Sequence, residues 1–180
     1  MIRALTQADA APLRALWRRG LAEEPASFLL TPQELDALPD AALTTMLARG
    51  DVMGTELSGR LVALAILRQG GPVRLRHSGD LGPLYVAPDA RGRGLGRALL
   101  QATLDVARSR GLLQVELCVD MSNTPAIALY EALGFTRIGL RPRSVILDGA
   151  PRDDILMLRQ LDTSDTGARP ERDQHPVTSR

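Results

Sequence analysis

Lysine is missing from this chain. All 22 basic side chains are arginine, and against 21 acidic ones they leave a formal net charge of +1. A balance that close creates no overall field, so nothing in the charge points to a nucleic-acid, membrane-surface or polyanionic partner. The arginine bias by itself names no partner either. Cysteine occurs once, at Cys118, which excludes an internal disulfide and a cysteine-rich zinc site. The two histidines, His77 and His175, are well separated, which argues against a histidine-based centre, and no metal is expected. No stretch approaches the roughly 20 apolar residues of a membrane helix, and the opening MIRALTQADA has no apolar run. A cytoplasmic location is the expectation.

What is present suits one globular domain. The chain has 180 residues, 44% of them hydrophobic and 24% charged, enough to close a core without a disulfide or a metal. Residues 1–161 read as that domain. Residues 162–180 carry Ser, Thr, Asp, Gly, Pro and Arg with almost no apolar side chains, and read as a flexible C-terminal tail.

Ile2 to Leu5 reads as a short strand. Asp9 is placed to cap a helix carrying Leu13, Leu16, Trp17 and Leu21 on one face. Thr31-Pro32 with Glu34 has the form of a capping box opening a second helix, which Leu38-Pro39-Asp40 interrupts. Val52 to Leu57, Ser58-Gly59 and Leu61 to Leu67 form a hairpin pattern. Val73 to Val86 is expected to be a longer strand, broken at Gly79 and bent or bulged near Gly82-Pro83. A helix from Leu95 to about Arg110, a strand over Leu113 to Val119 and a short helix over Pro125 to Leu133 follow. Three closing strands are expected at Thr136 to Leu140, Val145 to Leu147 and Ile155 to Leu161, with Asp153 and Asp154 in a turn.

The segment Arg91-Gly92-Arg93-Gly94-Leu95-Gly96 lies between a strand and a helix. Bare main-chain amides at a helix N-terminus can surround a phosphate there, and Arg91, Arg93 and Arg97 add positive charge suited to a diphosphate. The missing Gly-Lys-Ser/Thr excludes a P-loop. A Rossmann dinucleotide turn, with Asp120 as the ribose-binding acid, needs small residues at fixed positions after its first glycine. Starting from Gly92 the register meets Arg97, and starting from Gly94 it meets Leu99.

Arg91-x-x-Gly94-x-Gly96 resembles the diphosphate-binding signature of the GNAT superfamily of N-acetyltransferases. Asn123-Thr-Pro-Ala126-Ile-Ala-Leu129-Tyr130-Glu-Ala-Leu-Gly134-Phe135 resembles that superfamily's downstream segment. The resemblance covers roughly residues 1–161. It implies an α+β fold: a mixed, mostly antiparallel sheet of six or seven strands, flanked by about four helices. The central parallel strands, about Leu81 to Val86 and Leu113 to Val119, would splay into a cleft for acetyl-CoA. By the same resemblance Arg91, Gly92, Arg93, Gly94, Leu95, Gly96 and Arg97 would hold the diphosphate. Main-chain groups of Leu84 and Val86 would pair with pantetheine, and Asn123 would approach from the other side.

The activity implied is transfer of an acetyl group from acetyl-CoA to a primary amine within a ternary complex. Two other readings stay open: a catalytically silent CoA-binding regulatory domain and, behind it, the dinucleotide-dependent oxidoreductase. Tyr130 matches the family tyrosine beside the thioester sulfur, where a phenol can donate to the leaving thiolate, although the same residue also reads as core packing. The Val86 amide would polarise the thioester carbonyl. Asp80 resembles in spacing the basic glutamate of the lysine-acetylating branch but is one methylene shorter, which suits a water relay. It also reads as ordinary turn chemistry. His77 is the other candidate base, and Glu116 faces either cleft or solvent. Cys118 reads as a small buried strand residue, so no acyl-cysteine step is expected. Trp17, Glu23, Glu24, Phe28, Arg141 and Arg143 fall where the family reads its acceptor, with Glu23-Glu24 read as a solvated helix end. The acceptor amine stays unnamed, and formation of a homodimer is left open.

Overall fold

The computed structural model describes residues 1–161, and the expected C-terminal tail lies outside the described residues. Seven strands form one sheet in the order β1-β2-β3-β4-β5-β7-β6. They are β1 (Ile2–Ala4), β2 (Val52–Leu57), β3 (Arg60–Arg68), β4 (Ser78–Val86), β5 (Gln114–Asp120), β6 (Thr136–Leu147) and β7 (Ala150–Gln160). Five helices accompany it: α1 (Ala10–Glu23), α2 (Pro32–Asp36), α3 (Asp40–Ala48), α4 (Leu95–Ser109) and α5 (Thr124–Ala132). Only β4 and β5 run parallel; every other neighbouring pair is antiparallel. The expected mixed, mostly antiparallel α+β architecture is therefore present, and the parallel sheet of a dinucleotide fold is not.

Strand alternation divides the core into two layers. Val62, Leu64 and Ile66 of β3 point to α1, α2 and α3, where Leu13, Leu16, Trp17, Leu35 and Leu43 are buried. Ala63, Ala65 and Leu67 point the other way, to Leu99, Leu100 and Leu104 of α4. Truncating a fully buried leucine such as Leu64 to alanine costs about 2–5 kcal/mol, because the cavity collapses only in part. At the α1 layer, a Cβ on Gly20 would lie 2.5 Å from Phe28 Cζ, so glycine there permits the close approach of the Phe28 ring.

Local chemistry fixes the ends of the elements. The capping box at α2 is present: Thr31 Oγ1 accepts the Glu34 amide at 3.2 Å, and Glu34 accepts the Thr31 amide at 2.7 Å. Asp9 does not cap α1. Its carboxylate accepts the Thr6 amide at 2.7 Å and both Arg3 amino groups, closing the 3-10 turn that precedes the helix.

Three expected strands change shape. Val73–Leu75 is a 3-10 turn after Pro72, with Val73 and Leu75 exposed, so β4 begins only at Ser78. Gly79 does not break β4; it lies between Leu67 and Leu112, where a Cβ would sit 2.9 and 2.8 Å from their methyl groups. Beyond it the register against β3 shifts between Ala65 and Leu67, which is the irregularity expected near Gly82-Pro83. The two closing segments at 136–140 and 145–147 are one strand, β6, carried through Pro142 by a bulge. Asp153 and Asp154 lie inside β7 rather than in a turn.

Candidate active site

The centre of the sheet is open at one end. β4 and β5 pair only at Ser78 with Gln114, Gly79 with Val115 and Asp80 with Glu116; beyond those residues the two strands part. The Ala87 amide donates to the Val62 carbonyl of β3 at 2.8 Å, which sets the phase of the strand. Leu84 and Val86, alternating with it, turn their N–H and C=O groups away from β3 and into the gap. A sheet edge exposed inside a fold can accept an extended chain as though it were another strand.

The glycine-rich turn caps the β4 side of this gap. After a 3-10 turn at Pro88–Ala90, Gly92 and Gly94 adopt φ of 73° and 72°, a region that side chains with a Cβ rarely enter. Gly94 precedes α4 and offers no side-chain cap, so the first amides of that helix stay free of a protein side chain. The amide of Leu95 is among them, while its side chain packs on the α1 layer. A Cβ on Gly96 would meet Leu129 at 3.5 Å and Val86 at 3.6 Å, ordinary contacts, so packing alone does not require glycine there. Arg93 and Arg97 are exposed and make no ion pair among the described residues. Two mobile guanidinium groups thus flank a helix N-terminus, a combination that binds anions.

The β5 side is built from side chains. Asn123 caps α5, its Oδ1 accepting the Ala126 amide at 3.2 Å, while its Nδ2 reaches Ser27 Oγ at 3.4 Å. About two turns further along α5, Tyr130 is buried with its ring against Phe135 in an edge-to-face contact, centroids 5.7 Å apart. Burial pushes its phenol up to about 12, so it remains a proton donor across the physiological range. Asp80 sits at the closed end of the gap, exposed, with Oδ2 accepting both Nε and Nη2 of Arg68 at 3.0 and 2.8 Å. His77 precedes β4 at the same end, its carbonyl taking the Leu113 amide at 2.8 Å and its ring in solvent.

The acetyltransferase (GNAT) family matches residues 19–135, more than half of the chain, including both walls of the gap. The chain belongs to the GNAT acetyltransferase family. A mycothiol acetyltransferase from Thermobispora bispora is 58% identical over 62 residues, 33% of this chain and 21% of that protein. The chain spans about a fifth of the length of the first curated relatives it matches. Among solved structures, a ribosomal-protein-alanine N-acetyltransferase from Brucella melitensis matches with a TM-score of 0.76 and 28% identity, covering 89% of this chain and 99% of that one. A Salmonella typhimurium structure holding acetyl-CoA as its cofactor matches with a TM-score of 0.78 and 25% identity, covering 91% and 94%.

Within this GNAT framework several residues differ from expectation. Arg91 is not a mobile charge: its Nε donates to the Val86 carbonyl at 2.9 Å and its Nη2 pairs with Glu24 at 2.5 Å. Glu23 and Glu24 are correspondingly not a merely solvated helix end. Glu23 accepts the Tyr85 hydroxyl at 2.6 Å and pairs with Arg19, which also reaches Asp89. Tyr85, overlooked in the sequence, is buried against Phe28, and burial with the Glu23 contact raises its phenol well above the ordinary range. The available signal was phase: Tyr85 alternates with Leu84 and Val86 and so faces the α1 layer. These contacts tie the end of α1 to the end of β4 and to the glycine turn.

Cys118 is exposed, not buried. Val115, Leu117 and Val119 take the side of β5 covered by α4 and α5, which leaves Glu116, Cys118 and Asp120 on the opposite face. Burial by its neighbours raises the Cys118 thiol while Arg141 lowers it, with the net direction upward, so the group stays a thiol. Glu116 faces solvent. Asp120, the acid a dinucleotide site would need, is closed by Arg152 at 2.9 and 3.1 Å and by the Ser122 amide at 2.7 Å. Burial pushes that carboxyl up, but Arg152 and Ser122 outweigh it and hold it below the usual range. Among the described residues no cluster of metal ligands occurs, and no helix is long and apolar enough to cross a membrane.

Proposed function

We propose that this chain is an enzyme that transfers an acetyl group from acetyl-CoA to a primary amine by direct attack in a ternary complex. The observation that carries the proposal is the gap itself: Leu84 and Val86 main chain left without a strand partner on the β5 side, its Val86 carbonyl met by Arg91, running up to a glycine turn at the N-terminus of α4. The Salmonella relative that holds acetyl-CoA supports the same use of the fold.

In this reading amides between Gly92 and Arg97, with the Arg93 and Arg97 guanidinium groups, take the diphosphate. Leu84 and Val86 pair with the pantetheine arm, and Asn123 closes the other wall. Acetyl-CoA supplies an activated thioester. The Val86 amide points into the gap as the donor for the thioester carbonyl oxygen, a main-chain role that does not depend on the side chain. Arg91, held between the Val86 carbonyl and Glu24, fixes the Val86–Ala87 peptide that follows this amide. Tyr130, kept protonated by burial, donates to the departing sulfur. Asp80 keeps Oδ1 free of Arg68 and serves the acceptor amine through water. With Cys118 a thiol, the amine attacks directly, and positioning contributes much of the rate.

A cytoplasmic site of action belongs to the same reading, since a free exposed thiol persists in a reducing compartment. The silent CoA-binding alternative draws on one observation, that Asp80 is already clamped. Thermal melting with acetyl-CoA, CoA and NAD, followed by thiol release over an amine panel, tests the proposal. A ligand at 100 times its Kd stabilises the fold by about 2.7 kcal/mol, so CoA compounds are expected to raise Tm and NAD to leave it unchanged. Stabilisation without thiol release on any amine would leave the silent domain.

A further inference from the structure

We infer that the acceptor carries a carboxylate beside the amine that is acetylated, and that Arg141 binds it; this rests on the acetyl-transfer reading above. Arg141 lies on β6, opposite Asp154 of β7. Its Nη1 nevertheless lies 4.0 Å from Cys118 Sγ, on β5. Neighbouring strands are about 4.8 Å apart, so the side chain has crossed the full width of β7 toward the gap instead of extending from the sheet edge into solvent.

Most arginines among the described residues close on a carboxylate, as Arg3 does on Asp9, Arg68 on Asp80, Arg110 on Asp51 and Arg137 on Glu131. Arg141 makes no ion pair among the described residues. Carboxylates are close at hand, but they are engaged elsewhere. Asp154 accepts the Ser144 hydroxyl at 2.5 Å, Asp153 accepts the Arg143 amide at 2.8 Å, and Asp120 is closed by Arg152. The guanidinium keeps its fork of donors for something else. A carboxylate meets that fork with two parallel hydrogen bonds.

The backbone that presents Arg141 is specially built. Arg141 pairs with Asp154 and Val145 with Arg152, so β6 carries two more residues than β7 over that interval. Arg143, inside this bulge, has φ of 50°. Bulges re-aim side chains, and this one is pinned by both Asp153 and Asp154. On the other side of Cys118, one pleat down the same face of β5, Glu116 is exposed and makes no ion pair among the described residues. A cation-seeking group, Glu116 at the last rung shared with Asp80 of β4, and an anion-seeking group, Arg141, thus flank Cys118, the point beyond which β5 has parted from β4. An α-amino carboxylate, with opposite charges on two groups borne by one carbon, fits that arrangement; a simple alkylamine or a peptide N-terminus uses only half of it.

Steady-state thiol release with acetyl-CoA over α-amino acids, their matched carboxamides and short peptides with free N-termini tests the inference, in the wild type, Arg141→Gln and Arg141→Lys. Acids are expected to exceed their amides in kcat/KM by tenfold or more. Arg141→Gln should raise KM for the acids by a similar factor while leaving the amides and the KM for acetyl-CoA unchanged, and Arg141→Lys should recover part of the loss. Equal use of acids and amides, preference for peptides, or an Arg141→Gln defect shared by both acceptor classes overturns the inference and leaves acetyl transfer standing. Binding of acetyl-CoA with no thiol release on any amine overturns both.

Discussion

The two walls of the gap between β4 and β5 are made by different means. On the β4 wall the working groups are main-chain amides, exposed by a strand whose neighbour has turned away and by two glycines at positive φ. On the β5 wall they are side chains: Asn123 at a helix cap, Tyr130 within the core, and Glu116, Cys118 and Arg141 on the uncovered face. The main-chain wall offers donors whose chemistry does not depend on which side chains are present. The side-chain wall changes with every substitution, and the proposed reading of the acceptor by Arg141 lies on that side.

The largest effect should come from disturbing the main-chain wall where glycine is required. Gly94→Val places a β-branched residue at φ 72°, a conformation that costs roughly 1–2 kcal/mol, and also adds methyl groups where the diphosphate would lie. Blocking even two charge-assisted hydrogen bonds to the diphosphate, at about 1.5–3 kcal/mol each, should weaken acetyl-CoA binding by more than about a hundredfold in calorimetry. If Gly94→Val binds as the wild type does, the turn is not the phosphate site.

Tyr130→Phe should follow in size, on the opposite wall. Loss of a general acid typically lowers turnover by about a hundredfold, and the ring itself would stay against Phe135, so acetyl-CoA affinity should hold. A matched loss of affinity would show that the tyrosine serves packing alone. Glu24→Gln tests the tie between the end of α1 and the glycine turn after β4. It removes one partner of Arg91 from a half-exposed pair worth about 0.2–1 kcal/mol, so acetyl-CoA KM should rise about two- to fivefold. A tighter KM would mean that Glu24 had been competing with phosphate for Arg91.

The phenols give a pH signature. Tyr85 and Tyr130 are both raised above the unfolded value of about 10, so the stability they contribute is intact below that pH. It is lost as pH rises through about 10 toward the folded values, and denaturant midpoints should fall there. In Tyr130→Phe that fall should be smaller. The smallest effect is expected from Val86→Ala, since the donor is its amide: kcat should stay within about threefold of the wild type.

Legibility in the sequence divides along the same line. Gly92 and Gly94 could be read because positive φ leaves few alternatives to glycine, and Thr31 with Glu34 because a capping box is local. The splay was available only through the family resemblance, and the structure shows it as pairing confined to Ser78, Gly79 and Asp80. What could not be read depends on partners distant in sequence. Arg91 looked free because Glu24 meets it only through the docking of α1. Cys118 was assigned to the wrong face because strand alternation fixes which residues share a face but not which face the helices cover. Residues 136–140 and 145–147 were expected as two strands, yet β6 runs through the interval between them by means of a bulge, and that bulge presents Arg141.

The most direct test is the structure of the acetyl-CoA complex. It should show the diphosphate within hydrogen-bond reach of the amides between Gly92 and Arg97, the pantetheine alongside Leu84 and Val86, and the thioester next to Tyr130. Acetyl-CoA seated elsewhere, with β4 and β5 still parted and nothing between them, would contradict the account.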